Sequence, residues 1–225
     1  MEFITKILPN VSAHPERFFN SLLETLIMTL WAGGISFVIG LLFGITLIVT
    51  KKGSILENKV IYQILDKAIN LFRSIPFIIL LTGVMPLSRL IMGTAIGVRG
   101  AIVPLIFGCV PFFSRQVETA LAEVDGGLIE AAESMGLSPF EIIFRVYLKE
   151  SIGPLVRGTT ITLVSLIGLT AMAGAVGAGG LGNYAIMYGH DRSQLDVTWL
   201  TIIVLVIVVN LIQAGGNRII KKNKH

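Results

Sequence analysis

Residues 125–151 read DGGLIEAAESMGLSPFEIIFRVYLKES, the one long, charged, helix-forming block in an otherwise oily chain. Two short helices are expected. The first covers about residues 127–135. Asp125 is placed to cap it, because its carboxylate can accept from first-turn N–H groups that have no partner inside the helix. Gly136 can close it in a left-handed conformation. The second helix opens with Ser138-Pro139-Phe140-Glu141, a capping box with proline at the first helical position. Behind it, Phe140, Ile143, Phe144, Tyr147 and Leu148 recur with helical period and predict a single apolar face. Glu141 and Arg145 are set for an i,i+4 pair. In the first helix Ala131 and Ala132 leave a smooth patch between Glu130 and Glu133. Two roles fit such a hairpin. It is a solvated connection between membrane spans, or it is a docking element, with alanines admitting a partner's backbone and rim charges setting the register.

The rest of the chain says where that hairpin sits. Of 225 residues, 53% are hydrophobic and 14% charged, against about 25% charged in a soluble domain. The charges cluster and leave long clean runs, so an integral membrane protein is expected. The net charge of +4 is then a mark of the cytoplasmic face rather than of nucleic-acid binding. Cys109 is alone and cannot form an internal disulfide; in an apolar run it reads as a packing residue. His14, His190 and His225 lack ligand spacing, so no metal site is expected. No Ser-His-Asp or Cys-His arrangement and no phosphate-cradling loop of the ATPase kind is found, so this chain is expected to be no enzyme and to hold no cofactor of its own.

Hydropathy predicts an all-α membrane protein with five transmembrane helices. The spans fall at about 26–49, 64–84, 95–113, 158–176 and 197–216, each near the roughly 20 residues a bilayer needs. The first apolar run is too long for a signal-peptide core, so an uncleaved span is expected. Residues 1–21 read as an outer segment lying on the membrane. Gly33-Gly34, Gly40 and Gly44 mark close helix contacts in span one. Pro76 predicts a kink in span two, and Met85-Pro86 a short outer turn holding Arg89. One set of connecting segments carries Lys51, Lys52, Lys59, Lys67, Arg115, Arg145, Lys149, Arg157, Arg218, Lys221, Lys222 and Lys224. The other carries Lys6, Arg17, Arg89 and Arg192. The richer set belongs inside. That puts the N-terminus outside, the loop 114–157 in the cytoplasm, and the basic tail 215–225 with it. No acid is expected within the membrane, which argues against a proton relay.

Gly177-Ala178-Gly179-Gly180-Leu181-Gly182 matches G-x-G-x-x-G literally, but a membrane span precedes it instead of a strand, so nucleotide binding is rejected. Close backbone packing at the outer end of span four is expected instead. Met172, among small residues just before, is either packing or a flexible gate on the solute path. Arg73 in span two either snorkels to the inner headgroups or faces the path.

At Glu130-Ala131-Ala132, three residues, Gly136, nine residues, Val146-Tyr147-Leu148, the chain resembles the permease subunits of bacterial ABC importers, whose motif is EAA, three residues, G, nine residues, I-x-L-P. Val146 replaces isoleucine. Lys149 stands where proline is expected, and Pro154 is placed to take over that turn. Three further segments, 72–81, 93–105 and 174–182, resemble the methionine-uptake branch, and the similarity covers residues 22–214. The resemblance implies a cytoplasmic coupling loop at 114–157, with Glu130, Ala131, Ala132, Gly136, Ser138, Phe140, Glu141 and Arg145 at the ATPase contact. It implies a homodimer with two ATP-binding subunits, which hold ATP and magnesium, and an external binding protein delivering methionine, L- and also D-. A permease for another small solute, and a self-contained channel or membrane scaffold, are the alternatives; a channel has no need of such a hairpin.

Overall fold

The computed structural model describes residues 7–222. Lys6, Lys224 and His225, used above, lie outside the described residues. The chain is all-α, and no strand occurs among the described residues. In order, the helices are α1 (Pro9–Ala13), α2 (Pro15–Thr50), α3 (Lys59–Ser74), α4 (Phe77–Met92), α5 (Gly97–Ala122), α6 (Gly126–Ser134), α7 (Pro139–Ile142), α8 (Leu148–Glu150), α9 (Ile152–Ala175), α10 (Gly180–Tyr184) and α11 (Leu195–Lys222). Segments Ile143–Tyr147 and Ala185–His190 are π-helical. Four helices, α2, α5, α9 and α11, are each long and apolar enough to cross a membrane; α3 and α4 supply a fifth crossing if taken together.

Three expectations need correcting. Residues 15–21 are not a separate surface segment: they are the first turns of α2, which runs 36 residues. Span two is not one kinked helix. Asn58 caps α3 by accepting from the Val60 and Ile61 N–H groups, both at 3.1 Å, and the helix stops at Ile75, which is extended at φ −87°, ψ 123°. Pro76 explains the stop: its ring disfavours the helical conformation in the residue before it, and it has no N–H to donate. Met85-Pro86 makes no turn either. Pro86 lies inside α4, which continues to Gly93 at φ +74°. Proline is tolerated inside a membrane helix when its neighbours re-satisfy the backbone.

The chain divides into two compact units. One takes in the chain up to Gly34, Pro76–Gly108 and Leu163–Ile212; the other takes in Ile35–Ile75, Cys109–Thr162 and the chain from Gln213. The second holds a core of Ile48, Val49, Phe113, Val117, Leu121, Ala132, Ile142, Ile143 and Tyr147. In it the glycines of α2 do what their spacing suggests. A Cβ on Gly44 would stand 2.5 Å from Val117, and one on Gly40 2.7 Å from the Phe113 ring, so α2 and α5 touch through glycine. The first unit holds a core of Val11, Phe18, Leu181, Tyr184 and Val197.

One acid lies within the bounds expected for span two. Asp66, inside the expected second span, shares Arg115 with Glu118. The guanidinium donates to Glu118 at 2.6 Å, to Asn70 at 2.9 Å and to Asp66. This network ties α3 to α5. Pairing is what makes ionised groups tolerable in a poorly hydrated setting.

Candidate functional site

The hairpin 125–151 is built almost entirely by local signals. The Asp125 carboxylate accepts from the Gly127 N–H at 2.8 Å. At the other end of α6, Gly136 takes φ +79°. Its N–H donates to Glu133 O at 2.9 Å, and the Leu137 N–H donates to Ala132 O at 3.1 Å. That pair is a Schellman closure, which only a residue comfortable at positive φ permits. The Ser138 N–H donates to Glu141 Oε2 at 3.1 Å, and the Glu141 N–H returns to Ser138 Oγ at 3.4 Å, completing the capping box. The Ser138 backbone N–H, and then its hydroxyl, hold the Glu141 carboxyl below its usual range, with help from Arg145. Arg145 lies 3.4 Å from Glu141 at an exposed position, where such a pair adds little stability.

The apolar face differs from the one the periodicity predicts. Ile142, Ile143 and Tyr147 are buried, whereas Phe140 is 71% exposed and Phe144 55%. The buried face still has helical spacing, but it is centred on Ile142, Ile143 and Tyr147 and so is rotated away from Phe140 and Phe144. The Leu148 N–H bonds to Ile143 O, five residues back, a π turn that begins after Phe140. Phe140 and Phe144 pack on each other instead, ring centres 5.0 Å apart.

Ala131 and Ala132 also part company. Ala131 is exposed, but Ala132 is 2% exposed and belongs to the core with Val117 and Ile142. The smooth two-alanine face expected from the sequence is not there: of the pair only Ala131 is at the surface. Leu128 and Ala131 of α6 and its C-cap residue Met135, spaced i, i+3, i+7, are all exposed. Glu130, Gly136 and Ser138 are exposed as well. Sequence reading missed Leu128 and Met135, although their spacing with Ala131 was the available signal. The hairpin is anchored where it returns to the spans. The turn falls at Ser151, not at Pro154, which lies in the first turn of α9. The buried Ser151 hydroxyl donates to Ala120 O at 3.1 Å.

The two candidate path residues lie in different units. Met172 is on α9, 48% exposed, so about half of its surface is open. Arg73 is exposed in the last turn of α3, where a cation suits the helix dipole.

Near Met172 the glycine loop is close-packed, as expected. Gly177, Gly179 and Gly180 take φ of +90°, +83° and +77°. A Cβ on Gly174 would lie 2.5 Å from Asn183 N. The loop is held by two residues the sequence reading did not single out. Glu24 accepts the Gly180 N–H at 2.6 Å, and Thr25 Oγ1 accepts the Leu181 N–H at 2.8 Å. Those partners are 156 residues apart, beyond any local pattern. Among the described residues no cluster of His, Cys, Asp or Glu is arranged to hold a metal.

Residues 36–224, which include both hairpin and glycine loop, match the family described as the binding-protein-dependent transport system inner membrane component. The chain belongs to this family. As such a component it is a permease subunit, not an enzyme. Among its relatives is the probable D-methionine transport system permease protein MetI of Pasteurella multocida, 48% identical over 91% of this chain and 94% of the relative. Another is the protein of the same description from Vibrio cholerae, 42% identical over 90% of each chain. A chain of the MetNI methionine ABC transporter, solved in inward-facing conformations, is 45% identical, covers 94% of this permease and 99% of that chain, and superposes with a TM-score of 0.91.

Proposed function

We propose that this chain is the permease subunit of an ATP-driven importer of methionine, accepting the L- form and also the D- form. The likeness to the methionine permeases over nearly the whole chain carries this reading. Two copies would form the path, since five crossings are few to enclose a solute, and a twofold axis gives one path and two docking hairpins. The apolar, exposed flank of α11 (Trp199, Ile203, Val206, Ile207) is free for lipid or for a neighbouring copy. Lysine and arginine placement supports an external N-terminus and a cytoplasmic C-terminus, with an external binding protein delivering solute on the other side from the hairpin.

The chain's own part is mechanical. ATP and magnesium belong to two cytoplasmic partner subunits. Leu128, Ala131, Met135, Phe140 and Phe144 offer those partners an apolar surface, rimmed by Glu130, Glu141 and Arg145. Displacement of that surface reaches the spans because Ala132, Ile142, Ile143 and Tyr147 share one packed core with α2 and α5, and packed cores move as units. Met172 serves as a flexible gate on the path; Met172→Ala should change uptake or basal ATP use, and no change in either dismisses it. The reading as a whole is tested by labelled-methionine uptake into vesicles holding the reconstituted complex. ATP-dependent, saturable uptake supports it, and uptake that is absent or indifferent to ATP refutes it.

A further inference from the structure

A cavity of about 190 Å³ in the first unit is lined by Asn10, Ala13, His14, Arg17, Tyr184, Tyr188, Arg192 and Gln194. It is smaller than the roughly 300 Å³ and above of small-molecule sites, and it suits one side chain. Its charge is one-sided. Two guanidiniums lie over the same Tyr188 ring, Arg17 at 5.3 Å and Arg192 at 4.8 Å from its centre. Tyr188 is braced by Tyr184, ring centres 5.3 Å apart, and Tyr184 by Phe18 at 5.8 Å. The two cations are thus held on one rigid support although they repel each other. Arg17 also occupies the first turn of α2, at the positive end of the helix dipole, where an anion is favoured and a cation is not.

Nearby acids form no ion pair with either arginine. Asp196 instead accepts from Asn10, which donates from its backbone and side-chain nitrogens at 2.9 Å each. Glu16 lies 3.4 Å from His14. Among the described residues neither arginine has an acidic partner, and no acid lines the cavity. The arrangement is a preformed anion socket in want of an anion.

We propose that this socket receives a carboxylate side chain of the external binding protein and so docks it on the permease. The proposal rests on the importer reading, which puts this end of α2 outside. Helix length favours a soluble protein over a lipid phosphate. At 1.5 Å per residue, the nine residues of α2 from Arg17 to Leu26, where the charge-free apolar run begins, rise about 14 Å, against the roughly 5–8 Å that each headgroup layer adds to the hydrocarbon core. With Leu26 at the edge of that core, Arg17 stands beyond the outer headgroups.

The test uses the permease with its ATP-binding partner in two sets of bilayers, wholly zwitterionic and with added anionic lipid, each titrated with purified methionine-binding protein while ATP hydrolysis and uptake are read. The pair Arg17→Gln and Arg192→Gln should raise the half-saturating concentration of binding protein about tenfold at low salt and flatten its salt dependence. The ceiling at saturating binding protein should be kept, which shows the fold intact. Arg192→Glu should be rescued by a lysine replacing one acid of the binding protein. An unchanged half-saturation overturns the proposal, even where wild-type uptake sustains the importer reading. A defect that follows anionic lipid content, and not binding-protein concentration, overturns it in favour of a headgroup site. Failure of wild-type uptake is the distinct result that removes the importer reading itself.

Discussion

The hairpin 125–151 and the glycine loop 174–184 both link helices, and they are held by opposite means. In the hairpin, side chains do the holding: Asp125, Ser138 and Glu141 cap, and Ala132, Ile142, Ile143 and Tyr147 fill a core. What is left outside is an apolar surface available to be gripped. In the glycine loop the absence of side chains is the device. Gly174 sits against the Asn183 backbone, and Glu24 and Thr25 accept the N–H groups of Gly180 and Leu181. A segment that transmits force needs rigid internal packing and a free face. A close-packed corner needs room for backbone on backbone.

The sharpest break of this contrast is Gly174→Ala. Its Cβ would meet Asn183 N at 2.5 Å and Gly179 O at 2.9 Å, backbone atoms with nowhere to go, so a loss of about 3 kcal/mol is expected. Gly177→Ala, at φ +90° in open space, should cost only about 1–2 kcal/mol of conformational strain. Thermal unfolding of the purified complex in detergent ranks the two, and equal losses would contradict the packing argument. Next comes the alanine pair. Ala132→Leu overfills the core and should cost about 2 kcal/mol, whereas Ala131→Leu should stay within about 0.5 kcal/mol and instead weaken association with the ATP-binding subunit. Smaller again is Ser138→Ala, which removes a helix cap worth about 1 kcal/mol and should lower the melting temperature without changing which partners assemble.

How far the sequence reaches depends on how local the cause is. Asp125, Gly136 and the Ser138–Glu141 box were legible because each acts within a few residues, and the membrane class was legible because long apolar runs have few other homes. The extent of α2 was not, since its first turns around Arg17 are polar and hydropathy sees only the part that meets lipid. The break at Ile75 had a signal, the residue before proline, that was read as a kink. The exposure of Phe140 and Phe144 had none, because apolar residues at helical spacing mark a face without saying which flank of it the chain's own core covers. The burial of Ala132 beside an exposed Ala131 follows from tertiary packing alone, as does the reach of Glu24 to Gly180.

On the proposed function, force made by partner subunits enters the membrane through the exposed apolar face of the hairpin. The most direct measurement is methionine uptake per ATP hydrolysed in proteoliposomes holding the assembled complex, comparing wild type with Phe140→Ala/Phe144→Ala. These side chains are exposed, so the permease should stay folded to within about 0.5 kcal/mol. Uptake should fall about tenfold, by weakened assembly or by ATP hydrolysis that no longer drives transport. Uptake at the wild-type rate and the wild-type ATP ratio, with both rings gone, would contradict the claim.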